Sequence, residues 1–234
     1  MDFITQCYDI MVTKGDFLNK SCIRDLVSKT LSSAILIGGA LLQVPQIINI
    51  LRSKSVAGLS LFSLYSQVFI PITFITYNLH KGNPISTWGE NIFALIQNLI
   101  IVFCFWQLSK PSISLKHKII MIFGFIGLAA GCMSLKEDLH FLLPLSCLPL
   151  LVTSRLPQIW ANYQNKHTGP LSAFSFMLIL GGSAARCYTT LIEVGLDLNI
   201  MSSYLLGGFF AAILWGQCLY YGGAKSNHKA GKQD

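Results

Sequence analysis

Residues 45–63 read PQIINILRSKSVAGLSLFS, and residues 157–175 read PQIWANYQNKHTGPLSAFS. Laid over one another at an offset of 112 residues without gaps, the two stretches agree at Pro, Gln, Ile, Lys, Leu, Ser, Phe and Ser, eight of 19 columns. A fixed internal period sets the architecture before any other feature does. Each Pro-Gln pair sits near the end of a long apolar run and is followed by a polar turn. A proline inside a membrane helix cannot donate to the carbonyl four residues back, so the carbonyls of Leu41 and Thr153 need other partners. Gln46 and Gln158 stand beside the prolines and are candidates for that task. Breaks doubled at equivalent places point to a transporter-like core, with Pro45 and Pro157 as its hinges.

The apolar runs define the rest of the chain. Of 234 residues, 53% are apolar and 12% charged, and the mean hydropathy is +0.56, far above a soluble domain. Spans are expected at 31–51, 59–79, 87–108, 119–135, 141–163, 171–192 and 200–221. At ~1.5 Å rise per residue each is long enough for a ~30 Å hydrocarbon core. Three spans reverse the direction of the chain across the membrane, and a fourth restores it. The expected fold is therefore an all-α membrane protein of seven helices, built as two parallel three-helix repeats joined by a linker helix (3+1+3). Its parts are an N-terminal segment (1–30), the first repeat (31–110), a linker with the fourth span (111–139), the second repeat (140–222) and a tail (223–234).

Lys and Arg set the expected orientation. Nine of them (Arg52, Lys54, Lys110, Lys116, Lys118, Lys166, Lys225, Lys229 and Lys232) fall on one side and six on the other. The positive-inside rule then makes the C-terminus cytosolic and the N-terminus lumenal or external. The net charge of +7 is mostly this topological signal, because the basic residues are spread over short loops and form no patch suited to nucleic acid. The start, MDFITQCYDIM, lacks a basic head and a small-residue cleavage site, so the first span is expected to direct insertion itself. Cys7 and Cys22 share the segment expected to be lumenal, where they are either a disulfide or two unrelated thiols. Asn19-Lys20-Ser21 in that segment is a glycosylation sequon. The other five cysteines lie singly in apolar spans, as packing residues do.

Charges inside a membrane have a task or a partner. Arg186 and Glu90 are expected at similar depth in opposite halves, where they could pair. Arg155 stands in the column that Gln43 fills in the first copy, so the copies are chemically unequal there. A guanidinium near the membrane boundary either grips a phosphate or snorkels to the headgroups. Asn98, Asn162, Gln46 and Gln158, with Trp88 as a flat apolar neighbour, offer the donors and acceptors a sugar needs, although interhelical hydrogen bonding explains any one of them equally well. No phosphate loop, zinc-ligand spacing or nucleophile elbow is present, so neither an enzyme nor a cofactor is expected.

Lys54-Ser55-Val56-Ala57-Gly58-Leu59-Ser60, Trp88-Gly89-Glu90, His167-Thr168-Gly169-Pro170-Leu171-Ser172-Ala173, Gly182-Ser183-Ala184-Ala185-Arg186 and Glu193-Val194-Gly195 narrow the reading. Together with the doubled Pro-Gln they resemble the mannose-P-dolichol utilization defect 1 protein family, and Cys7-Tyr8-Asp9 with Cys22 fits that family's cysteine spacing. The resemblance implies a multi-pass endoplasmic-reticulum membrane protein needed for lumenal use of dolichol-phosphate-mannose and dolichol-phosphate-glucose. N-glycans, GPI anchors and related mannosylation would depend on it. Its implied partners are dolichol-linked monosaccharides, membrane lipids and endoplasmic-reticulum glycosyltransferases. The tail departs from the pattern, since residues 225–234 hold no dilysine pair at the penultimate positions. Two other readings compete: a small-solute carrier for sugar or amino acid, and a structural adaptor for membrane glycosyltransferases. Against the sugar carrier, Asn98 has Phe210 in its column, so paired central amides are absent.

Overall fold

The computed structural model describes residues 7, 12–13, 19–56, 59–168 and 172–222. Ala57, Gly58, Gly169, Pro170, Leu171, the rest of the leader and the tail lie outside the described residues. In chain order the helices are α1 (Lys20–Leu41), α2 (Val44–Ser53), α3 (Leu61–Lys81), α4 (Glu90–Leu108) and α5 (Leu115–Met133), then α6 (Leu142–Leu145), α7 (Cys147–Asn165), α8 (Ala173–Glu193) and α9 (Leu198–Gly222). Short 3-10 turns occupy Ile85–Thr87 and Glu137–Leu139.

Among the described residues six segments are long and apolar enough to cross a membrane: Lys20–Ser53, Glu90–Leu108, Leu115–Met133, Glu137–Asn165, Ala173–Glu193 and Leu198–Tyr221. The chain is a multi-pass membrane protein. The seventh long helix, α3, carries Ser63, Ser66, Gln67, Thr73, Thr76 and Asn78. These residues lower its hydropathy, and the helix tolerates them because its neighbours cover it: Leu64, Val68, Thr73, Tyr77 and Asn78 are all buried.

The first helix starts earlier than position 31. Asn19 turns its side-chain oxygen onto the Cys22 amide at 3.2 Å, the hydrogen bond an N-cap asparagine supplies. Cys22 is bonded to Cys7. Ser28 and Lys29 fall in the expected leader because they are polar, and Ser32 at the very start of the expected first span. They sit inside a helix because their partner is an acid on another helix.

Pro45 and Pro157 occupy the same column yet act differently. α1 ends at Leu41, Gln43 takes φ −104° and ψ 0°, and α2 resumes with Pro45 in its first turn. There a missing N–H leaves nothing unpaired. The opened turn is closed from α4: Gln97 Nε2 donates to Gly39 O at 3.1 Å and Ala40 O at 2.8 Å, while Gln43 N donates to Gln97 Oε1 at 2.9 Å. In the second copy α7 runs through Pro157 without interruption. Thr153 Oγ1 donates back to Pro149 O at 2.8 Å, and Gln217 Nε2 reaches Ile159 O at 3.0 Å. Gln46 and Gln158 are half-buried and make neither of these bonds. An amide from the third helix reaches the proline region in each copy, Gln97 at the α1–α2 break and Gln217 beside the unbroken α7.

Other features keep the 112-residue period. Lys54 and Lys166, equivalent columns, end α2 and α7 in the left-handed region at φ 49° and φ 54°. Few residues other than glycine adopt that conformation. Ser60 and Ser172 then occupy the N-cap positions of α3 and α8.

Packing repeats as well. α4 packs against both α1 and α3, and α9 packs against both α8 and α7. Thus the third helix of each copy lies between the other two. The copies meet where α1 packs on α8 and where α3 packs on α6, and α5 packs on α3. One apolar core holds the first copy together through Leu64, Val68, Ile72, Ile101, Val102 and Trp106. A second joins the copies through Phe74, Tyr77, Leu143, Cys147 and Ile200. α1 approaches α4 closely only because residue 39 is glycine: a Cβ there would lie 2.6 Å from Glu90 Cβ.

Gln97→Leu removes three hydrogen bonds at the α1–α2 break, at roughly 0.6 kcal/mol each in a membrane protein. It is expected to lower stability in detergent by about 2 kcal/mol, whereas Gln46→Leu stays within about 0.5 kcal/mol of the native chain. Thermal unfolding of the purified variants checks the difference.

A candidate site between the two repeats

A cavity of about 780 Å³ lies between α3 and α7. Ser63, Ser66 and Gln67 come from α3, Thr153, Ser154 and Arg155 from α7, Glu90 and Asn91 from the start of α4, and Ser203 and Tyr204 from α9. Asn91 and Ser203 are equivalent columns of the two copies. Most of the remaining wall is Phe, Ile, Leu and Cys. An apolar chamber with a few convergent hydroxyls, one amide pair and one guanidinium fits a small polar ligand better than water alone. Arg155 is half-buried and has no carboxylate or hydrogen-bond partner among the described residues.

At the end of the bundle where α1 begins, the copies are joined by buried charge. Glu90 on α4 and Arg186 on α8 form an ion pair with side chains 17% and 5% exposed. Arg186 Nη1 also donates to Ser86 O at 3.3 Å. Ser86 Oγ in turn donates to Glu193. Glu193 Oε1 accepts from Ser28 Oγ at 2.9 Å and Ser32 Oγ at 2.8 Å, and Oε2 pairs with Lys29 Nζ at 2.9 Å. The Glu193 side chain is 4% exposed. Every one of these contacts crosses between residues 28–90 of the first copy and residues 186–193 of the second.

The residues singled out in the sequence scatter. Arg155 and Glu90 line the cavity, and Arg186 holds Glu90. Trp88 is buried, and its Nε1 donates to Asn83 O at 3.0 Å within its own loop. Asn98 Nδ2 donates to Gln67 O at 2.6 Å, tying α4 to a cavity-lining residue of α3. Asn162 Nδ2 donates to Gln217 Oε1 at 3.0 Å, away from the chamber. Gln46, Gln158, Pro45 and Pro157 do not face it. Among the described residues no cluster of His, Cys, Asp or Glu could hold a metal ion.

Glu193 and its partners carried no role in the sequence reading. A signal was present, since Ser28, Lys29 and Ser32 share one helical face by their spacing. Nothing in one chain said which acid that face meets.

Comparison with known proteins agrees with the repeat. The PQ loop repeat family matches residues 27–87 and again 139–199, just over half the chain and offset by the same 112 residues. The chain belongs to the PQ-loop repeat family. It is also similar to human "Solute carrier family 66 member 3", at 24% identity over 170 residues, covering 71% of this chain and 80% of that protein.

Removing one partner of a buried ion pair leaves an uncompensated charge, at a cost of about 3–5 kcal/mol. Arg186→Met is therefore expected to lose most of its folded yield. Glu90→Gln combined with Arg186→Met is expected to recover most of that loss. Fluorescence-detected size-exclusion of the single and double variants measures it.

Proposed function

We propose that this PQ-loop protein binds a lipid-linked sugar phosphate and presents it or moves it across the membrane. In this reading the chain is two parallel three-helix repeats around the α5 linker, placed in the endoplasmic-reticulum membrane with the N-terminus lumenal and the C-terminus cytosolic. Its ligands are dolichol-phosphate-mannose and dolichol-phosphate-glucose, the donors for lumenal N-glycan, GPI-anchor and related mannosylation. It supplies them to glycosyltransferases without itself catalysing a reaction, as the mannose-P-dolichol utilization defect 1 resemblance implies.

The observation that carries this reading is Arg155. It is a half-buried guanidinium at the wall of a membrane-level cavity, with no internal counter-charge among the described residues. A phosphate monoanion or diester accepts the paired N–H donors of such a group. The surrounding Ser, Thr, Gln and Asn side chains suit sugar hydroxyls. Glu90 is already neutralised by Arg186 and so does not repel an anion at full strength.

A second reading is favoured by the name of the human relative, a solute carrier. In it the same cavity takes a small solute, sugar or amino acid, without a lipid tail. Arg155 would then meet a carboxylate or remain without a ligand partner.

Arg155→Ala is expected to weaken binding of dolichol-phosphate-mannose on the order of ten- to a hundredfold, the range for a lost charge-assisted hydrogen-bonded pair. In cells it should give truncated lipid-linked oligosaccharides. Full-length precursors in cells lacking the protein would overturn the pathway role. Saturable uptake of free mannose, glucose or amino acid into proteoliposomes, with no binding of the lipid form, would favour the carrier instead.

A further inference from the structure

The cavity between α3 and α7 does not end at its polar walls. A second space of about 490 Å³ lies between α5 and α7, over α3, and shares Phe62, Ser66 and Leu150 with the first. Its remaining lining is almost wholly apolar: Tyr65, Phe69, Met121, Gly124, Phe125 and Leu128 among others. Phe62 at the junction is 72% exposed. Polar chamber and apolar groove adjoin along these shared residues, a two-part space of two chemical characters.

We infer that this space is a binding site for a single-chain lipid phosphate, its head in the chamber at Arg155 and its first chain segment in the groove against α5. The inference rests on the lipid-linked sugar reading above and adds where the hydrocarbon goes. Three features set the occupant. The free guanidinium asks for an anion at the head. The hydroxyl and amide lining asks for a polyol beside it. The groove adjoins the chamber at Phe62, Ser66 and Leu150, and the lipid-linked sugar reading supplies one chain to lie in it. Gly124 stands in the groove wall, and a Cβ built there would meet nothing within 4 Å, so a side chain added at 124 would project into free space. The linker helix thus does more than restore chain direction: it is the outer wall of the tail site.

The glycine also supplies the test. A mannosyl phosphate carrying one prenyl chain with a photoreactive diazirine is bound to the purified full chain in nanodiscs, irradiated and mapped. Gly124→Phe places a ring in the groove from a position where the Cβ itself meets nothing within 4 Å. Gly127, where a Cβ also meets nothing within 4 Å, lies one turn on and lines neither space. Label is expected on α5 between positions 121 and 128. It should fall on the order of tenfold in Gly124→Phe, as a ring occupies the chain's place, and stay unchanged in Gly127→Phe. Mannose 1-phosphate should compete equally against both variants, since the head site is intact. Label that lands off α5 and ignores Gly124→Phe overturns the groove and leaves the head site standing. Displacement by diacyl phosphatidic acid as strong as by the prenyl compound overturns the one-chain assignment. No saturable label on the native chain overturns the sugar-phosphate reading itself.

Discussion

Buried charge must be paired inside a membrane, and in this protein each buried acid finds its partners in the other copy of the repeat. Glu90 of the first copy meets Arg186 of the second. Glu193 of the second meets Ser28, Lys29, Ser32 and Ser86 of the first. Ser86 links the two sites through its backbone carbonyl and its hydroxyl. The low-dielectric surroundings that make an unpaired charge costly also make this satisfied network a strong constraint. It fixes α1 on α8, places the start of α4 against α8, and so determines which faces of the two copies remain to form a chamber.

That constraint explains why duplicated halves yield an unsymmetrical site. The two copies meet in two contact regions, α1 with α8 and α3 with α6. Hydroxyls, a lysine and acids close the first. The second is closed only at one level by Phe74, Tyr77, Leu143, Cys147 and Ile200, and elsewhere it opens into the cavity. The residues that diverged between copies follow this division. Arg155 faces the chamber where its counterpart Gln43 lies at a helix break. Asn98 and its counterpart Phe210 are both buried and serve packing.

Much of the frame was legible because it is periodic. The 112-residue offset fixed the two repeats, the apolar runs located the helices to within a few residues, and the third span's burden of amides was visible. The first helix was read too short because Ser28 and Lys29 look like surface residues until Glu193 is placed beside them. The prolines were read as equal hinges because sequence shows identity of residue, whereas the state of a helix at proline depends on which side chains reach the backbone around it. Gln97 and Gln217 do so from sequence distances of 57 and 58 residues for Ala40 and Ile159. No local pattern encodes that. The site was half legible: Arg155, Arg186 and Glu90 announce themselves as charges in apolar runs. The amides did not separate into ligand-facing and structural, since both kinds look alike until their partners are known.

The clasp bears on how a ligand reaches the chamber. Rocking the copies apart at the α1–α8 side would strip Glu90 and Glu193 of their partners in a poorly solvated place, and each uncompensated charge costs several kcal/mol. On the α3–α7 side no ion pair need break among the described residues. There the chamber adjoins the groove beside α5, with Phe62, Ser66 and Leu150 lining both. The side that can open at lower cost is therefore α3–α7. In the reading proposed above, that opening would admit a ligand whose tail already lies in the membrane, and the charged network sets which side of the repeats stays shut.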